Sequence, residues 1–303
     1  MAARKGFNAG LLCLLAVIVV ASPAVAQIEE QISAYTGANA EGYLEPLALA
    51  IGANLNSALY HSAYIPESGL HIFLETPIMG VIFDDEDATF SAVTEGWYSP
   101  ETTVEAPTVI GSGEAVVIEN LQDSSAFAFP GGFDLNSFAL AVPQVRIGSF
   151  KGTEALIRYI ALDVGDIEVG NVSLYGFGLR HSISQYMGPT APVDLAAGFM
   201  YQKFELGEDL IDATAFTFGV QASKRFPSGF AVLEPYAGLS YDMFQMDLKY
   251  EGEDAEPIEL SFDSESTAHL TLGLHASAAF LSLYGEYNLA NQSGFAFGMG
   301  FGF

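Results

Sequence analysis

The chain has 303 residues, 37 acidic against 10 basic, for a formal charge of −27, yet half of it is apolar. Acidity of that order excludes a nucleic-acid binder, whose affinity depends on Lys and Arg neutralising phosphates. The single cysteine, Cys13, leaves no disulfide framework and no cysteine metal site. No run of about 18 apolar residues is present, which excludes a helical membrane protein but not a membrane β-barrel.

The chain opens with a pattern that predicts an export signal over residues 1–26. Arg4 and Lys5 form a basic start, Leu11 to Val20 is apolar, and Ser22-Pro23-Ala24-Val25-Ala26 ends in small residues, placing cleavage after Ala26. An apolar run this short does not span a bilayer. Removing Arg4 and Lys5 with the leader makes the remaining chain more negative still.

Residues 27–66 differ from everything that follows. From Leu44, the positions Leu47, Ile51, Leu55 and Leu59 recur at helical spacing, with Pro46 tolerable in a first turn. The spacing predicts one amphipathic helix, either a cap under a barrel or a plug inside it, laid against the glycine face of the last strand.

From Gly69 the period changes to two, and residues 67–303 read as an all-β, antiparallel transmembrane barrel. Strands are expected near 69–83, 88–97, 113–120, 140–150, 153–163, 169–187, 192–206, 212–227, 231–251, 258–277, 280–290 and 294–303. That makes about twelve strands, with ten as the alternative. Counted back from Phe303, the short connections fall at one end, the periplasmic one. The longer acidic segments, such as EGEDAEP and GEDLID, fall at the other.

One parity is lipophilic in strand after strand: Tyr175, Phe177 and Leu179; Leu195, Phe199 and Tyr201; Leu270, Leu272 and Leu274. The opposite parity is small or polar. A soluble β-sandwich would need a second apolar sheet over that lipophilic face, and too few residues remain to build one.

The ionisable residues on the inward parity are the strongest functional clue. Arg146, Glu154, Arg158, Arg180, Arg225, Glu234, Asp242, His269, His275 and Glu286 are all expected to face the lumen. Arg146, Arg158 and Arg180 lie on three neighbouring strands and are expected at similar height. The set reads either as a salt-bridge network bracing a narrow barrel or as a charged constriction selecting solutes by sign. His275 and Ser277 share a face, a spacing used by outer-membrane lipid hydrolases, but at the wrong rim for a lipid ester, so no enzyme activity is expected. The histidines lack metal-ligand spacing, and no metal or other cofactor is expected.

The chain ends on GFAFGMGFGF. Phe295, Phe297, Met299, Phe301 and Phe303 occupy one parity against glycine and alanine on the other. In water such an edge templates aggregation, whereas in a closed barrel lipid takes the aromatic face. Phe297, Phe301 and the terminal Phe303 resemble the C-terminal aromatic signature that the assembly machinery of bacterial outer-membrane barrels reads.

Three central runs, FPGGFDLNSFALAVPQVRIGSFKGTEALIRYI (129–160), LYGFGLRHSISQYM (174–187) and PVDLAAGFMYQKF (192–204), carry a resemblance to an uncharacterised bacterial outer-membrane family, a domain of unknown function. The helix segment YLEPLALAIGANLNSALYHSA (43–63) is similar to the N-terminal part of that family. The resemblance implies an exported, β-rich envelope protein and no particular chemistry. A looser similarity of architecture is to outer-membrane long-chain fatty-acid transporters, which carry an N-terminal hatch. This chain is shorter and reads fewer strands, which argues against a spacious apolar lumen.

Together these readings predict a barrel in the bacterial outer membrane. Its expected partners are lipid, the assembly machinery and a small-molecule solute, with no nucleic acid. Its expected role is passive passage of small or hydrophobic solutes gated by the helix. The alternatives are a structural or adhesive barrel with acidic outer loops and, last, a lipid hydrolase.

Overall fold

The computed structural model describes residues 35, 37–96, 98–120, 126–163, 171–188, 191–207, 210–250 and 258–303, so the expected leader lies outside the described residues. One helix, α1 (Gly37–Leu55), precedes the strands β1 (Ser68–Ile82), β2 (Thr89–Val93), β3 (Thr103–Pro107), β4 (Val116–Glu119), β5 (Ala126–Phe129), β6 (Ser137–Ala141), β7 (Gln144–Phe150) and β8 (Thr153–Asp163). The rest are β9 (Asn171–Ser182), β10 (Asp194–Leu206), β11 (Ile211–Ser223), β12 (Phe226–Ser228), β13 (Ala231–Tyr250), β14 (Ile258–Ala278), β15 (Leu281–Leu289) and β16 (Gly294–Gly302).

The main sheet has 12 segments and closes on itself where β1 pairs antiparallel with β16, from Phe73↔Gly302 to Val81↔Gly294. Its wall is nevertheless ten strands. β6 and β7 meet β1 in one continuous register, Ile78↔Ala141 and Glu75↔Gln144, interrupted only at Val142 and Pro143. β11 and β12 likewise meet β13 in one register, Ser223↔Tyr236 and Phe226↔Leu233.

Ten is the smaller of the two expected numbers, because the segments expected at 88–97 and 113–120 leave the wall. β2 pairs only with β3, and β4 only with β5, as small ribbons over the loop end. At 5 and 4 residues, β2 and β4 are far below the ~9–11 that a tilted strand needs to span a bilayer. Since both drop out together, the up-and-down parity is kept. Short turns at 151–152, 229–230 and 279–280 gather at one end with Phe303, and the long 83–136 connection lies at the other.

The exterior is apolar in a band. Aromatic residues mark its turn-end border at Phe150, Phe230, Phe280 and Phe303, and its loop-end border at Tyr159, Tyr175, Tyr201, Tyr241 and Tyr287, all exposed. Along β13, from Ala231 beside Phe230 to Tyr241, a strand tilted by ~40° rises about 25 Å, the height of a barrel's lipid belt. On β13 the exposed Leu239, Tyr241 and Met243 give way to Gln245 and Lys249, so that strand leaves the belt with about two turns of the pleat to spare.

Inside, α1 descends from the loop end. Its buried side chains, Tyr43, Leu44, Ile51 and Leu55 among them, share one apolar core with Phe129 of β5, Val109, and Phe244 and Phe262 on the inner face of β13 and β14. The helix is thus a plug, and of the two placements open to it the lumen is the one adopted. It starts at Gly37 rather than Leu44, which puts Pro46 in its interior instead of its first turn. The cost of an interior proline is offset here by enclosure on nearly every side.

The helix packs on β1, β6, β11, β13 and β14, not on the glycine face of β16 as expected. That face is taken by the wall's own side chains. A Cβ on Gly298 would lie 2.2 Å from Tyr284 Cζ. Gly298→Val is therefore expected to destabilise the barrel by about 1–3 kcal/mol, measured as a lower midpoint in heat-modifiability gels.

Candidate functional site

Below Leu55 the chain leaves the helix and runs through the lumen as residues 56–67 before turning back into β1. This crossing is where the inward ionisable residues gather. Arg158, 1% exposed, meets the end of the plug: Nη1 donates to Leu55 O at 3.1 Å, and Nη2 to Ser57 O at 2.6 Å and Ala58 O at 2.8 Å. Gln144 and Gln202 accept its other donors at 2.8 and 3.0 Å. No carboxylate among the described residues forms an ion pair with it. Its charge is met instead by carbonyls at the negative end of a helix, whose last C=O groups otherwise lack partners.

Opposite Arg158, Glu286 accepts from Ala58 N at 2.7 Å and from the Tyr236 hydroxyl at 2.7 Å. Ala58 itself has φ +56°, a left-handed turn that redirects the chain below the helix.

The next layer toward the turn end is a chain of paired charges. Arg146 bridges Glu75 at 2.7 Å and Glu154 at 3.6 Å; Glu154 also meets Arg180 at 2.8 Å and His71 at 2.7 Å. Arg180 donates to Ser62 O in the crossing segment and packs over the Tyr60 ring at 4.8 Å. His61 stacks on Tyr284 at 4.1 Å and lies 3.1 Å from Glu75. Near the rim, Glu234 Oε1 accepts from Ser62 and Ser223 at 2.7 and 2.5 Å. Closer to the loop end, Asp242 holds His269 at 2.6 Å and Thr217.

The three arginines are not at one height. Arg180 pairs across from Glu154 and Arg146 across from Leu156, two residues on, whereas Arg158 is four residues on from Glu154, ~13 Å farther along the strand. Arg225 is not in the lumen proper either. It sits at the rim, half-exposed, over the Tyr64 ring. The other expected lumen residues, Glu154, Glu234, Asp242, His269, His275 and Glu286, are buried in the interior with Arg146, Arg158 and Arg180.

Leu44, Ile51 and Leu55 lie in the plug core and Leu47 packs against it, while Leu59 falls beyond the helix. Phe297, Phe301 and Phe303 are exposed on the outer face of the wall. His275 turns its Nδ1 toward Glu234 at 3.5 Å and makes no hydrogen bond to Ser277.

Glu75 and His61, both central, are not among the residues expected to face the lumen; from sequence, His61 is weighed only as a metal ligand. A single carboxylate inside HIFLETPIMG was the available signal for Glu75. His61, in an irregular segment, had none.

At the loop end, Asn39 ties α1 to β2, donating to Val93 O and accepting from Val93 N at 3.0 Å. Burial pushes the Tyr35 and Tyr43 phenols up, with the charge of Glu95 adding to it for Tyr35.

The plug does not fill the lumen evenly. The helix stripe Glu41, Glu45, Leu49 and Ala53 is exposed or only half-buried, while the rest of the helix is packed. Two cavities follow it and a third lies just past the end of the helix. The first, about 70 Å³, lies between Glu41, Glu45, Leu49 and Phe244, Phe262, Asp263. The second, about 40 Å³, shares Leu49 and Phe244 and reaches Asn56, Asp242 and Thr267. The third, about 70 Å³, shares Asn56 and lies against Tyr60, Arg180, Gly198, Gly219 and Gly238. Each has room for several waters at ~10–15 Å³ apiece. Strand pairing over the third is unbroken, Gly198↔Gly219 and Gly219↔Ser240, and its lining also takes in Phe199, Phe218, Val220 and Leu239 of the outward parity.

A family model described as a family of unknown function, DUF6588, matches residues 5–303. No curated protein matches the sequence. Among solved structures, the chain is similar to a loop-deletion mutant of OmpT, an outer-membrane protein of Vibrio cholerae, at 12% identity over 78% of this chain and 98% of that one, with a TM-score of 0.29. It is similar to the Ralstonia pickettii toluene transporter TbuX at 9% identity over 80% and 90%, TM-score 0.28. A Pseudomonas aeruginosa FadL homologue matches at 11% identity over 88% and 97%, TM-score 0.17. Likeness this low carries no function; the barrel rests on the chain's own strand pairing.

Proposed function

The chain belongs to DUF6588, a family with no assigned activity, and from its own geometry we propose a bacterial outer-membrane channel that passes small water-soluble solutes when its N-terminal plug shifts. The observation that carries this reading is a row of three cavities, two along one stripe of α1 and a third beside residues 56–60 just past its end, in which neighbours share lining residues, Leu49 and Phe244 and then Asn56. A lumen filled for bracing alone has no reason to leave one side of its plug unpacked, since voids cost stability. The unbroken strand pairing beside the third cavity favours an axial route over a lateral one, and so water-soluble over membrane-soluble cargo. In the described conformation the route stops where Gln221 and Arg180 hold the backbone of Tyr60 and Ser62.

The reading includes export by the leader at residues 1–26, insertion directed by assembly machinery at Phe297, Phe301 and Phe303, and no catalytic role. A structural barrel is the second reading, favoured by the density of bonds between Arg158, Glu286 and residues 55–58.

One experiment separates them. The Ser62 and Ser223 hydroxyls both meet Glu234 Oε1, at 2.7 and 2.5 Å, so cysteines there are placed to form a staple in a chain with no other cysteine after Cys13. The wild-type barrel in planar bilayers is expected to show step conductance. Oxidised Ser62→Cys/Ser223→Cys is expected to be silent, and reductant to restore the steps. A wild type that never conducts favours the structural reading.

A further inference from the structure

We infer that the row of cavities is a path for small cations, with the side-chain carbonyl of Asn56 as its narrowest ligand; the inference rests on the channel reading above. Asn56 is 7% exposed and lines both the second and third cavities, and its Oδ1 has no hydrogen-bond partner. A buried amide oxygen left without a donor costs ~1–3 kcal/mol, so one held at a junction between two water-sized spaces is suited to what passes it. Neutral carbonyl oxygens are hard ligands, and rows of them replace part of a cation's hydration shell in pores. Toward an anion the same atom is repulsive.

The charges along the row have the matching sign. Glu41 and Glu45 stand at the loop-end mouth with Asp263 facing them, and neither glutamate forms an ion pair among the described residues. Asp242 lines the second cavity, and Glu286 the third. The one basic residue on the whole row is Arg180, at its far end, where Glu154 at 2.8 Å balances it. Carboxylates at a narrow mouth concentrate counter-ions and exclude co-ions. An anion following this row meets no free positive charge before Asn56.

The test is the reversal potential of the wild-type barrel in planar bilayers across a KCl gradient. A K⁺ over Cl⁻ permeability ratio on the order of ten is expected. Glu41→Gln/Glu45→Gln, at exposed positions that leave the fold intact, is expected to lower that ratio several-fold, while Asn56→Leu is expected to reduce the conductance of each open step. A barrel that conducts without ion preference, or prefers Cl⁻, overturns this inference and leaves the channel reading standing. A barrel that never conducts overturns both.

Discussion

Arg158→Met is expected to free the plug while leaving the wall intact. The guanidinium reaches three backbone carbonyls at the end of α1 and just beyond it, Leu55, Ser57 and Ala58, and two wall glutamines. Methionine fills much of the same volume and donates nothing, so the carbonyls stay buried and unmet at ~1–3 kcal/mol each. Relaxation toward trapped water recovers part of that, and a net loss of about 3 kcal/mol corresponds to roughly a hundredfold rise in the released population. The strand ladder is untouched, so the folded barrel keeps its resistance to detergent in unheated gels. What changes is protection of the plug: residues 56–66 become open to limited proteolysis, and leak conductance rises by about two decades. Arg158→Lys is expected to fall in between, because a point ammonium with three donors does not span the spread of acceptors that a planar fork does. A plug as protected in Arg158→Met as in the wild type would show that this anchor does not hold it.

That anchor also marks how far the sequence can be read. Period-two alternation from β7 to β16 is unambiguous because each strand has one apolar outer face and one face in the lumen, and the turn positions follow from the same pattern. The excess of two expected strands came from β2 and β4, whose alternation is genuine but whose inner face, as part of the loop-end ribbons, packs on the plug core. Alternation reports a two-sided environment, not which one. The inward ionisable positions were visible by parity. Their heights were not, because register depends on turn geometry and bulges such as those between Gly148 and Phe150, and an error of a few residues moves an arginine ~13 Å. Residues 56–66 carry no periodicity, and their conformation is dictated by Arg158, Glu286 and Arg180 from distant strands. His61 was therefore beyond reach of any local pattern, whereas Glu75, on β1, had its parity as a signal.

Leu274→Arg is expected to destabilise the barrel by about 2–4 kcal/mol, and Leu289→Arg by no more than about 1 kcal/mol. Both leucines are exposed by nearly the same fraction, 49% and 41%, and on a water-soluble protein the two substitutions would be equally harmless. They differ only in depth. On β14 the lipid-facing column runs from Phe280 at the turn-end border to Leu270 at the other, with Leu274 near its middle, while Leu289 pairs with Leu270 at the loop-end border. An arginine at Leu289 snorkels to the headgroups over a few ångströms, whereas one at Leu274 must drag its charge across half the belt. Folding into phosphatidylcholine vesicles, followed by denaturant titration, measures both. A cost that grows with depth is the signature of hydrocarbon outside the wall, and equal costs near zero would mean that water meets this face, removing the membrane and with it the channel. The same pair of substitutions also separates wall from plug, since neither side chain touches residues 56–66 and any change in conductance they cause must come through the strands.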